Sequence, residues 1–363
     1  MILQKSELSE KLKFLKSIGN VTLGQDDQGV LLKNGFLIAN NLKTSVVVPL
    51  KNSDKNEEIL IPTRAIDFIA NLSDGNVEIK YKNNQINVIQ GKVKCKFSTR
   101  NPQEYPETDM DVPEIKSLLF TIKARELENI VKQVGFACSK KSETKPVMEG
   151  ILFEGDNSKL SIVASDGYRL AWKQIDIDTN ISFKVAIEKE AIQKVLSIAD
   201  SDIAIYQKSK KSICFVAGEY QIESVLLMAE QFIDYKNLFP TRYSTEFNVN
   251  RDQLLYCFNR MSVSIENKKR TPAVLEHSEN NILSISCADN TADISENIVL
   301  AQDEFKEPLK IGVNIDYLKD ALKASDQEVL TIRATGSVNP IILNDGSLQQ
   351  LVLPVRLKRE VLV

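Results

Sequence analysis

Residues able to do acid-base or nucleophilic chemistry are few and scattered in this chain of 363 residues. His277 is the only histidine, and no acidic or nucleophilic motif surrounds it, which is more typical of a core or surface residue than of a general base. No phosphate-binding glycine loop and no G-x-S-x-G motif is present. We therefore expect no catalytic residues and no cofactor. An enzyme whose catalytic groups converge from distant segments stays open as an alternative.

The cysteines do not form a recognisable set of disulfides or metal ligands. Five of them are spread along the chain without a C-x-x-C pair, namely Cys95, Cys138, Cys214, Cys257 and Cys287. An odd number at irregular spacing fits neither a disulfide framework nor a zinc site. We predict that they are buried as small hydrophobic residues and that the chain holds no metal.

The strongest pattern is an internal repeat at intervals of about 123 residues. Three markers recur in the same order: amphipathic helices at 6–18, 124–137 and 250–263, β-like runs at 37–41, 160–166 and 283–289, and strands leading into second helices at 59–72, 183–198 and 309–324. This period is far longer than that of a solenoid repeat, so each unit is expected to be a domain with its own core. The predicted domains are 1–117, 118–244 and 245–363.

Composition is typical of an ordinary globular protein. Hydrophobic residues make up 43% of the chain and charged residues 26%, and no apolar run approaches the roughly 20 residues that cross a bilayer. The N-terminal residues enter a charged helical pattern directly, without the apolar stretch of a secretory signal. We expect a cytoplasmic protein without a membrane span.

Basic residues are concentrated on the predicted helices, although the formal net charge is -3. If the helices share one side of the molecule, that side is basic and the remainder is acidic. A run of three basic residues, Lys268-Lys269-Arg270, follows the first helix of the third repeat. The alternative is that these charges form solvated helix faces with ion pairs four residues apart.

The most distinctive local sequence is SDGYRLA at 165–171. An Asp-Gly pair after a hydrophobic run, followed by more apolar residues, predicts a tight turn in a hairpin. This segment resembles the Thr-Asp-Gly-His-Arg-Leu-Ala signature of the bacterial β sliding clamps, the processivity subunits of replicative DNA polymerase. Segments 146–154, 232–240 and 353–357 are similar to further clamp segments in the same order, so the resemblance covers nearly the whole chain.

The resemblance implies an α+β fold of three similar domains, each with two inner helices and outer antiparallel sheets. Two chains of this family associate head to tail in a ring that encircles duplex DNA without reading its sequence. The ring tethers the replicative polymerase, and the clamp loader and other replication or repair proteins bind it through short hydrophobic motifs. A diverged scaffold that keeps the clamp fold but does not load on DNA is the alternative.

The resemblance implies three sets of site residues, of which those of the cleft are matched to the family position by position. The residues expected to face DNA are Lys11, Lys16, Arg64, Arg125, Lys132, Lys140, Lys141, Lys145, Lys194, Arg251 and Lys319. The homodimer interface is expected at Tyr105, Pro106, Ser264 and Ile265. The cleft for partner peptides is expected at Met148, Ser165, Gly167, Tyr168, Arg169, Leu170, Ile233, Asn237, Leu238, Asn314, Tyr317, Pro340, Leu351, Leu353, Pro354, Val355 and Arg356.

The chain departs from the family pattern inside the expected cleft. Ile233 stands where the family has proline, Asn237 replaces arginine, and Tyr168 replaces histidine. Peptide preference is therefore expected to differ from that of other clamps. Residues 358–363 extend past the usual end, and we hypothesise that this tail passes beside the cleft.

Overall fold

The computed structural model describes residues 1–19, 29–53, 56–142, 144–156, 158–179, 181–266, 271–278, 281–300, 302–305 and 307–357. The basic run at 268–270 and the tail at 358–363 lie outside these ranges.

The chain alternates strands and short helices, and each repeat contains two α-helices. The first repeat comprises β1 (Ile2–Gln4), α1 (Lys5–Gly19), β2 (Val30–Lys33), β3 (Phe36–Asn40), β4 (Thr44–Pro49), β5 (Ile59–Ile61), α2 (Thr63–Ala70), β6 (Asn76–Lys82), β7 (Gln85–Gln90) and β8 (Val93–Ser98). The second comprises β9 (Leu118–Lys123), α3 (Ala124–Val134), β10 (Gly150–Asp156), β11 (Lys159–Ser165), β12 (Arg169–Asp176), β13 (Phe183–Glu188), α4 (Lys189–Leu196), β14 (Asp202–Tyr206), β15 (Ser212–Ala217) and β16 (Tyr220–Leu227). The third comprises β17 (Thr245–Asn250), α5 (Arg251–Ser264), β18 (Ala273–Ser278), β19 (Ile282–Ala288), β20 (Asp293–Val299), β21 (Gln302–Phe305), β22 (Leu309–Val313), α6 (Ile315–Ala324), β23 (Val329–Ala334), β24 (Ile341–Asn344) and β25 (Leu348–Val352).

These elements are distributed between two compact units. Unit 1 consists of Met1–Arg125 with Glu190–Leu226, and unit 2 of Glu126–Lys189 with Leu227–Val363. Both the sheet β1-β6-β7-β8 and the sheet β5-β2-β3-β4-β16-β15-β14-β9 lie in unit 1. In unit 2, β13-β10-β11-β12-β25-β24-β23-β17-β21 forms one sheet and β20-β19-β18-β22 another.

Consecutive repeats are joined edge to edge by antiparallel strands. In unit 1, β4 pairs with β16, and Ser45 lies opposite Glu223. In unit 2, β12 pairs with β25, and Leu170 lies opposite Leu351. Each unit therefore contains strands from two repeats, because these junctions extend one sheet from one repeat into the next.

Helical periodicity explains where the cores lie. On α1, Leu8, Leu12 and Leu15 are fully buried at a spacing of three to four residues, which places them on one face. Helix α1 packs against α2, and α5 packs against α6. Helix α5 begins where the Asn250 side chain accepts a hydrogen bond from the Gln253 backbone N–H, which satisfies a donor that the first helical turn leaves free.

The predicted α+β class and the order of helices and strands are confirmed. The first helix of each repeat begins within one residue of the position that periodicity indicated, as expected from amphipathic patterns. The predicted domain limits remain predictions, since units 1 and 2 cut across the repeats. Among the described helices, none is long and apolar enough to cross a membrane.

His277 and most cysteines are core residues. His277 is fully buried, and its ring packs edge-on against Phe247 at a centroid distance of 5.1 Å. Cys138, Cys214 and Cys257 are buried, and burial raises the pKa of each thiol to about 12. A thiol with such a pKa is a poor nucleophile at neutral pH.

Candidate functional site

The site is built around the tight turn between β11 and β12. The carboxylate of Asp166 accepts hydrogen bonds from the backbone N–H groups of Tyr168 and Arg169, at 2.9 and 3.0 Å. Gly167 has a φ of 88°, a conformation that favours glycine. Ser165 Oγ donates to the Arg169 carbonyl and accepts from the Gly167 N–H. The predicted Asp-Gly hairpin turn therefore forms, and its own side chains hold it.

Strand pairing brings the end of the chain beside this turn. Arg169 lies opposite Val352, and the Leu353 N–H donates to the Tyr168 carbonyl at 2.9 Å. The following Val355 forms a bridge with Gly312 at the end of β22. Segments that are far apart in sequence therefore share one surface of unit 2.

Arg169 links the turn to helix α6. Its Nε lies 3.0 Å from Asp166 Oδ2, and one terminal nitrogen lies 2.6 Å from Asp320 Oδ2. The guanidinium also lies over the rings of Tyr317, at 4.6 Å, and Phe136, at 5.2 Å. The planar group is well suited to this combination of ion pairing and stacking.

Two tyrosines stand next to this guanidinium. The rings of Tyr168 and Tyr317 are 6.2 Å apart at an angle of 30°. Tyr317 is positioned at the start of α6, where Asn314 Oδ1 accepts from the N–H groups of Asp316 and Tyr317. Burial and the nearby charge of Asp166 raise the pKa of Tyr317, so its hydroxyl stays protonated at neutral pH.

The floor of the site is apolar. Met148, Leu170 and Leu351 are buried in one cluster with Phe232 and Tyr235. Trp172 packs against this cluster and contacts the rings of Tyr235 and Phe239 at 5.1 and 5.5 Å. These residues supply hydrophobic contact area beneath the turn.

The rim of the site combines exposed apolar and polar groups. Leu238 and Leu353 are 43% and 37% exposed, and Tyr168 is 62% exposed, which is high for such large side chains. Ile233 packs partly against the floor cluster, whereas Asn237 is exposed and donates to Asp234. Pro340, Pro354 and Val355 are half-buried, and Arg356 is exposed. The predicted cleft residues in unit 2 therefore include a buried apolar cluster and accessible leucine and tyrosine side chains, and their role as a peptide cleft stays a prediction.

The Glu154 carboxylate, on strand β10, holds the segment that borders the apolar floor. Tyr235 donates a hydrogen bond to Glu154, and Lys236 lies 3.1 Å from the same carboxylate oxygen. Burial by itself would raise the pKa of Glu154, but these two contacts lower it below its usual range. The segment that carries Ile233 and Leu238 is thereby anchored to the sheet.

Several supporting residues were not expected from the sequence. Asp320 and Phe136 contact Arg169, and Trp172 and Phe239 pack against the buried cluster of the floor. Asp320 stands one helical turn after Tyr317, so an amphipathic reading of α6 places both on one face. No comparable sequence signal points to Phe136, which lies 33 residues before Arg169 in the chain.

Residues 355–357 pack so closely against Gly312 that a side chain at this position would not fit. A Cβ at this position would lie 2.6 Å from the Val355 carbonyl oxygen and 2.7 Å from the Leu357 side chain. We expect Gly312→Ala to displace residues 354–357 and to weaken peptide binding about 5- to 10-fold, consistent with the usual cost of overpacking. Fluorescence anisotropy with a labelled peptide checks this. Lys310→Ala on the same strand is the control, and equal affinities of the two variants would contradict the prediction.

The predicted DNA-facing residues differ in accessibility. Arg64, Arg125, Lys132, Lys140, Lys141 and Lys145 are exposed, whereas Lys16, Lys194, Arg251 and Lys319 are half-buried. Lys16 lies 2.5 Å from Asp67, and Arg251 pairs with Asp252 at 2.8 Å. The exposed basic residues are the ones best able to contact an external anion.

The prediction for Lys11 is wrong, because its side chain is buried in unit 1. Only 4% of the residue is exposed. Its Nζ lies 3.1 Å from Glu7, 3.0 Å from Glu219 and 2.7 Å from the Pro49 carbonyl oxygen. This ammonium group ties α1 to the β15–β16 turn and is not available to a phosphate.

Two of the four predicted dimer residues are buried within their own units. Tyr105 is buried, accepts from the Asn40 N–H at 2.9 Å and has its pKa raised by burial to about 12. With Pro106 it lines a cavity of about 520 Å³ that also includes Leu31 and Met110. In unit 2, Ile265 is buried and Ser264 is exposed. The role of these four residues in dimerisation stays a prediction.

No metal centre is apparent in the described part of the chain. No group of three or more His, Cys, Asp or Glu side chains in these ranges is placed to hold an ion.

Comparison with known proteins places the chain in one family. The beta sliding clamp of Staphylococcus epidermidis is 27% identical over 317 residues, which are 82% of this chain and 80% of that protein. The beta sliding clamp of Staphylococcus aureus is 26% identical over 324 residues, covering 84% and 81%. Structures of DNA polymerase sliding clamps from Pseudomonas aeruginosa and Bacillus subtilis share the fold, with TM-scores of 0.87 and 0.86 at 23% and 24% identity. Each aligns 98% of this chain with 99% of the other.

Family models agree with this result over nearly two thirds of the chain. The model of the DNA polymerase III beta subunit central domain matches residues 121–231, and that of the C-terminal domain matches residues 236–356. Both models, the curated relatives and the fold point the same way, and the chain belongs to the family of bacterial DNA polymerase III beta subunits, the β sliding clamps.

Proposed function

We propose that this protein is a sliding clamp that encircles duplex DNA as a head-to-tail homodimer and tethers a DNA polymerase to its template. The observation that carries the proposal is the edge-to-edge joining of three similar repeats in a chain of the clamp family. The repeats are joined twice within the chain, and a second copy supplies the remaining junctions that close a ring. Topological linkage then keeps the protein on DNA without tight contacts.

Attraction to DNA is electrostatic in this proposal. Arg64, Arg125, Lys132 and the loop lysines 140, 141 and 145 are exposed. Contacts of such groups with phosphates are independent of sequence and weaken with salt. The chain as a whole is acidic, with a formal net charge of -3, which disfavours binding of DNA to the remaining surface.

Partner proteins bind the unit 2 cleft through short peptides. The apolar floor beneath Tyr168 and Leu353 suits a motif that carries leucine and an aromatic residue. Two or three anchors of roughly 1.5–3 kcal/mol each, less the cost of ordering the peptide, correspond to about micromolar affinity. Partners of this affinity exchange readily. The polymerase, the clamp loader and repair proteins would compete for this surface in the cytoplasm.

The clamp itself is proposed to be non-catalytic. The residues of the cleft bind and orient peptides, and Arg169 is fully engaged by Asp166 and Asp320. The polymerase that the clamp holds would supply the chemistry, while the clamp increases the number of nucleotides added per binding event.

The proposal predicts that the protein is held on DNA by topology. The protein is loaded on nicked circular DNA with a cognate clamp loader and ATP, separated from free protein by gel filtration at moderate salt, and the DNA is then cut once. We expect the protein to remain on the circle and to leave the linear product. An uncut circle carried through the same steps is the control.

Two outcomes would contradict topological linkage. Retention on linear DNA would indicate direct binding. Failure to load with a loader that loads a related clamp in parallel would favour a diverged scaffold that no longer encircles DNA.

A further inference from the structure

The turn between β3 and β4 in unit 1 is built like the turn between β11 and β12 that carries the candidate site in unit 2. Asn41 Oδ1 accepts hydrogen bonds from the N–H groups of Lys43 and Thr44, at 3.0 and 2.7 Å. The Asp166 carboxylate accepts the same two bonds in unit 2. Thr44 therefore occupies the position of Arg169, and the residues around the two turns can be compared one by one.

The apolar cluster beneath the unit 1 turn is equivalent to the floor of the cleft in unit 2. Its members on the sheet are Leu31, Ile38, Val47 and Leu60. Strand pairing and distance from the turn match these four respectively to residues of the unit 2 floor, namely Leu152, Val163, Trp172 and Ala186. Tyr105 completes the unit 1 cluster, and it follows a short 3₁₀ helix as Phe232 does in unit 2. The first repeat therefore carries a second floor of the same design.

The segment that covers this second floor leaves a cavity above it. Asn40 holds the segment in place, since its Nδ2 donates to the Glu107 carbonyl at 3.3 Å and to Thr108 Oγ1 at 2.9 Å. The cavity has a volume of about 520 Å³, and Tyr105 and Met110 line it together with residues of the floor. This volume lies within the usual range for ligand sites, roughly 300–1,000 Å³.

Apolar side chains are exposed beside the cavity. A shallower recess of about 250 Å³ shares Glu107 and Thr108 with it, and we call the cavity and the recess together the unit 1 groove. Leu42 and Val225 line the recess and are 58% and 48% exposed. Leu42 has a φ of 69°, a conformation that costs free energy in a residue with a side chain, and Gly167 stands at this position in unit 2. Neither the exposure nor the strain of Leu42 stabilises the turn, which points to contact with another molecule.

The junction strand brings a carboxylate into the unit 1 groove at a position where the unit 2 cleft is apolar. Ser45 lies opposite Glu223, whereas the equivalent pair in unit 2 is Leu170 and Leu351. Glu223 lines the recess of the groove. The two sites therefore share a turn and an apolar floor but differ in charge.

Carboxylates outnumber ammonium groups in the described part of the recess. Glu107, Asp109 and Glu223 line it with Lys43. Lys208 Nζ lies 2.5 Å from Asp109 and 3.3 Å from Glu223, so it offsets part of their charge. The hydrogen bond from Lys208 lowers the pKa of Asp109, whose carboxylate is therefore ionised at neutral pH. Three negative and two positive side chains leave a net negative charge, which favours basic peptides and disfavours acidic ones.

We propose that the unit 1 groove binds a peptide segment of a partner protein that carries a large apolar side chain beside a lysine or arginine. The apolar side chain enters the cavity between Tyr105 and Met110, and the basic side chain contacts Glu107 and Glu223. This site goes beyond the proposed clamp function, because it selects a class of partner that the apolar cleft of unit 2 does not. It rests on that proposal only in taking the unit 2 cleft as the model of a peptide site.

Two methionines report on the two sites separately. The chain has five methionines, of which Met110 lines the unit 1 groove and Met148 lies in the floor of the unit 2 cleft. Methyl-labelled methionine gives NMR signals that Met110→Leu and Met148→Leu assign. The probes are acetyl-Lys-Leu-Ala-Phe-Lys-amide and its acidic counterpart, acetyl-Glu-Leu-Ala-Phe-Glu-amide.

We expect the basic peptide to shift the Met110 methyl signal saturably, with a dissociation constant of about 0.1–1 mM for so short a peptide. The acidic peptide should bind this site about 10-fold more weakly, since it places like charges beside Glu107 and Glu223. Both peptides carry the leucine and aromatic residue expected of cleft ligands, so both should shift Met148.

The two signals distinguish failure of this inference from failure of the proposed function. A response of Met148 without Met110 would overturn the groove and leave the cleft intact. A response of Met110 without Met148 would support the groove and contradict the cleft. A Met110 signal that changes with protein concentration, in parallel with dimer formation in sedimentation, would place this surface between two copies and overturn the proposal.

Charge reversal tests the acidic part of the groove. We expect Glu107→Lys to weaken binding of the basic peptide about 5-fold, because an attractive contact becomes repulsive. Glu104→Lys is the control, since Glu104 is exposed in the same segment but does not line the groove. Equal losses in the two variants would show long-range attraction without a site and would overturn the proposal.

Leu42→Gly separates peptide contact from folding. Glycine adopts a φ of 69° without strain, so the variant should keep the melting temperature of the native protein to within about 2 °C. Affinity for the basic peptide should fall about 3- to 10-fold, because apolar contact area is lost. Thermal denaturation and the same NMR titration measure the two effects. Unchanged peptide affinity would exclude Leu42 from the contact and overturn the proposed position of the peptide.

Discussion

Replacing Arg169 with methionine is expected to weaken binding of a peptide carrying leucine and an aromatic residue by about 30-fold, or about 2 kcal/mol. The guanidinium joins the turn at Asp166 to helix α6 at Asp320 and supports the ring of Tyr317. Methionine keeps much of the length but removes both ion pairs. The turn and the helix then lose their common anchor, and hydrogen bonds to charged groups are among the stronger single contacts.

Arg169→Lys tests whether peptide binding needs only the positive charge at this position or also the planar geometry of the guanidinium. Lysine keeps a positive charge, but it lacks the planar fork that bonds two carboxylates while it lies over an aromatic ring. We expect an intermediate loss of about 5- to 10-fold in peptide affinity. Isothermal titration calorimetry with one peptide across the series measures these differences.

Arg333→Met is the matched control for this series. Arg333 also lies in unit 2, pairs with Glu246 at 2.6 Å and lies 5.4 Å from the Tyr243 ring. Its removal deletes a similarly bonded arginine from strand β23, outside the cleft. Peptide affinity that falls equally in both methionine variants would show that Arg169 acts through general stability and would contradict its role in the cleft.

Features that depend on neighbouring residues were predictable from sequence. Helix α1 shows its buried face in the spacing of Leu8, Leu12 and Leu15, and the Asp166-Gly167 pair indicates its own turn. The threefold repeat is visible because the same local patterns recur. The resemblance to clamps then supplied the cleft positions, which periodicity alone would have assigned to a core.

Features that depend on distant residues were not predictable in the same way. Asp320 follows Arg169 by 151 residues, and Glu219 follows Lys11 by 208. Lys11 has the residue type and the helix expected of a DNA contact, yet strand pairing in unit 1 brings the Glu219 carboxylate to it. The residue type therefore predicts the positive charge of Lys11 but not its burial. Its burial depends on the packing of the second repeat against the first within unit 1.

The burial of Lys11 makes it important for stability. We expect Lys11→Met to destabilise α1 by about 2–3 kcal/mol at neutral pH, because Glu7 and Glu219 lose their counter-ion and the Pro49 carbonyl loses its donor. This value lies below that of a fully buried pair, since the glutamate side chains are 25% and 41% exposed. Hydrogen exchange of peptides from α1 measures the local free energy of opening.

Lys13→Met is the matched control for Lys11→Met. Lys13 lies on the same helix but is exposed, so its replacement removes the same charge without leaving carboxylates unpaired. We expect an effect within about 0.5 kcal/mol. Equal protection of α1 in the two variants would mean that the contacts of Lys11 contribute nothing beyond its charge.

The loss of stability in Lys11→Met is expected to depend on pH in a defined direction. Burial alone would raise the pKa of Glu7, but the hydrogen bonds that its carboxylate accepts from the Lys11 ammonium and from the Lys51 N–H lower it below the ordinary glutamate value of 4.5. A carboxylate whose pKa is lower in the folded state stabilises that state above its unfolded pKa, and the contribution is lost as pH falls through the folded pKa. The difference between the native protein and Lys11→Met should therefore be constant near neutral pH and shrink below about pH 4.5. A difference that stayed constant through this range would show that lost packing, rather than the ion pair with Glu7, explains the destabilisation.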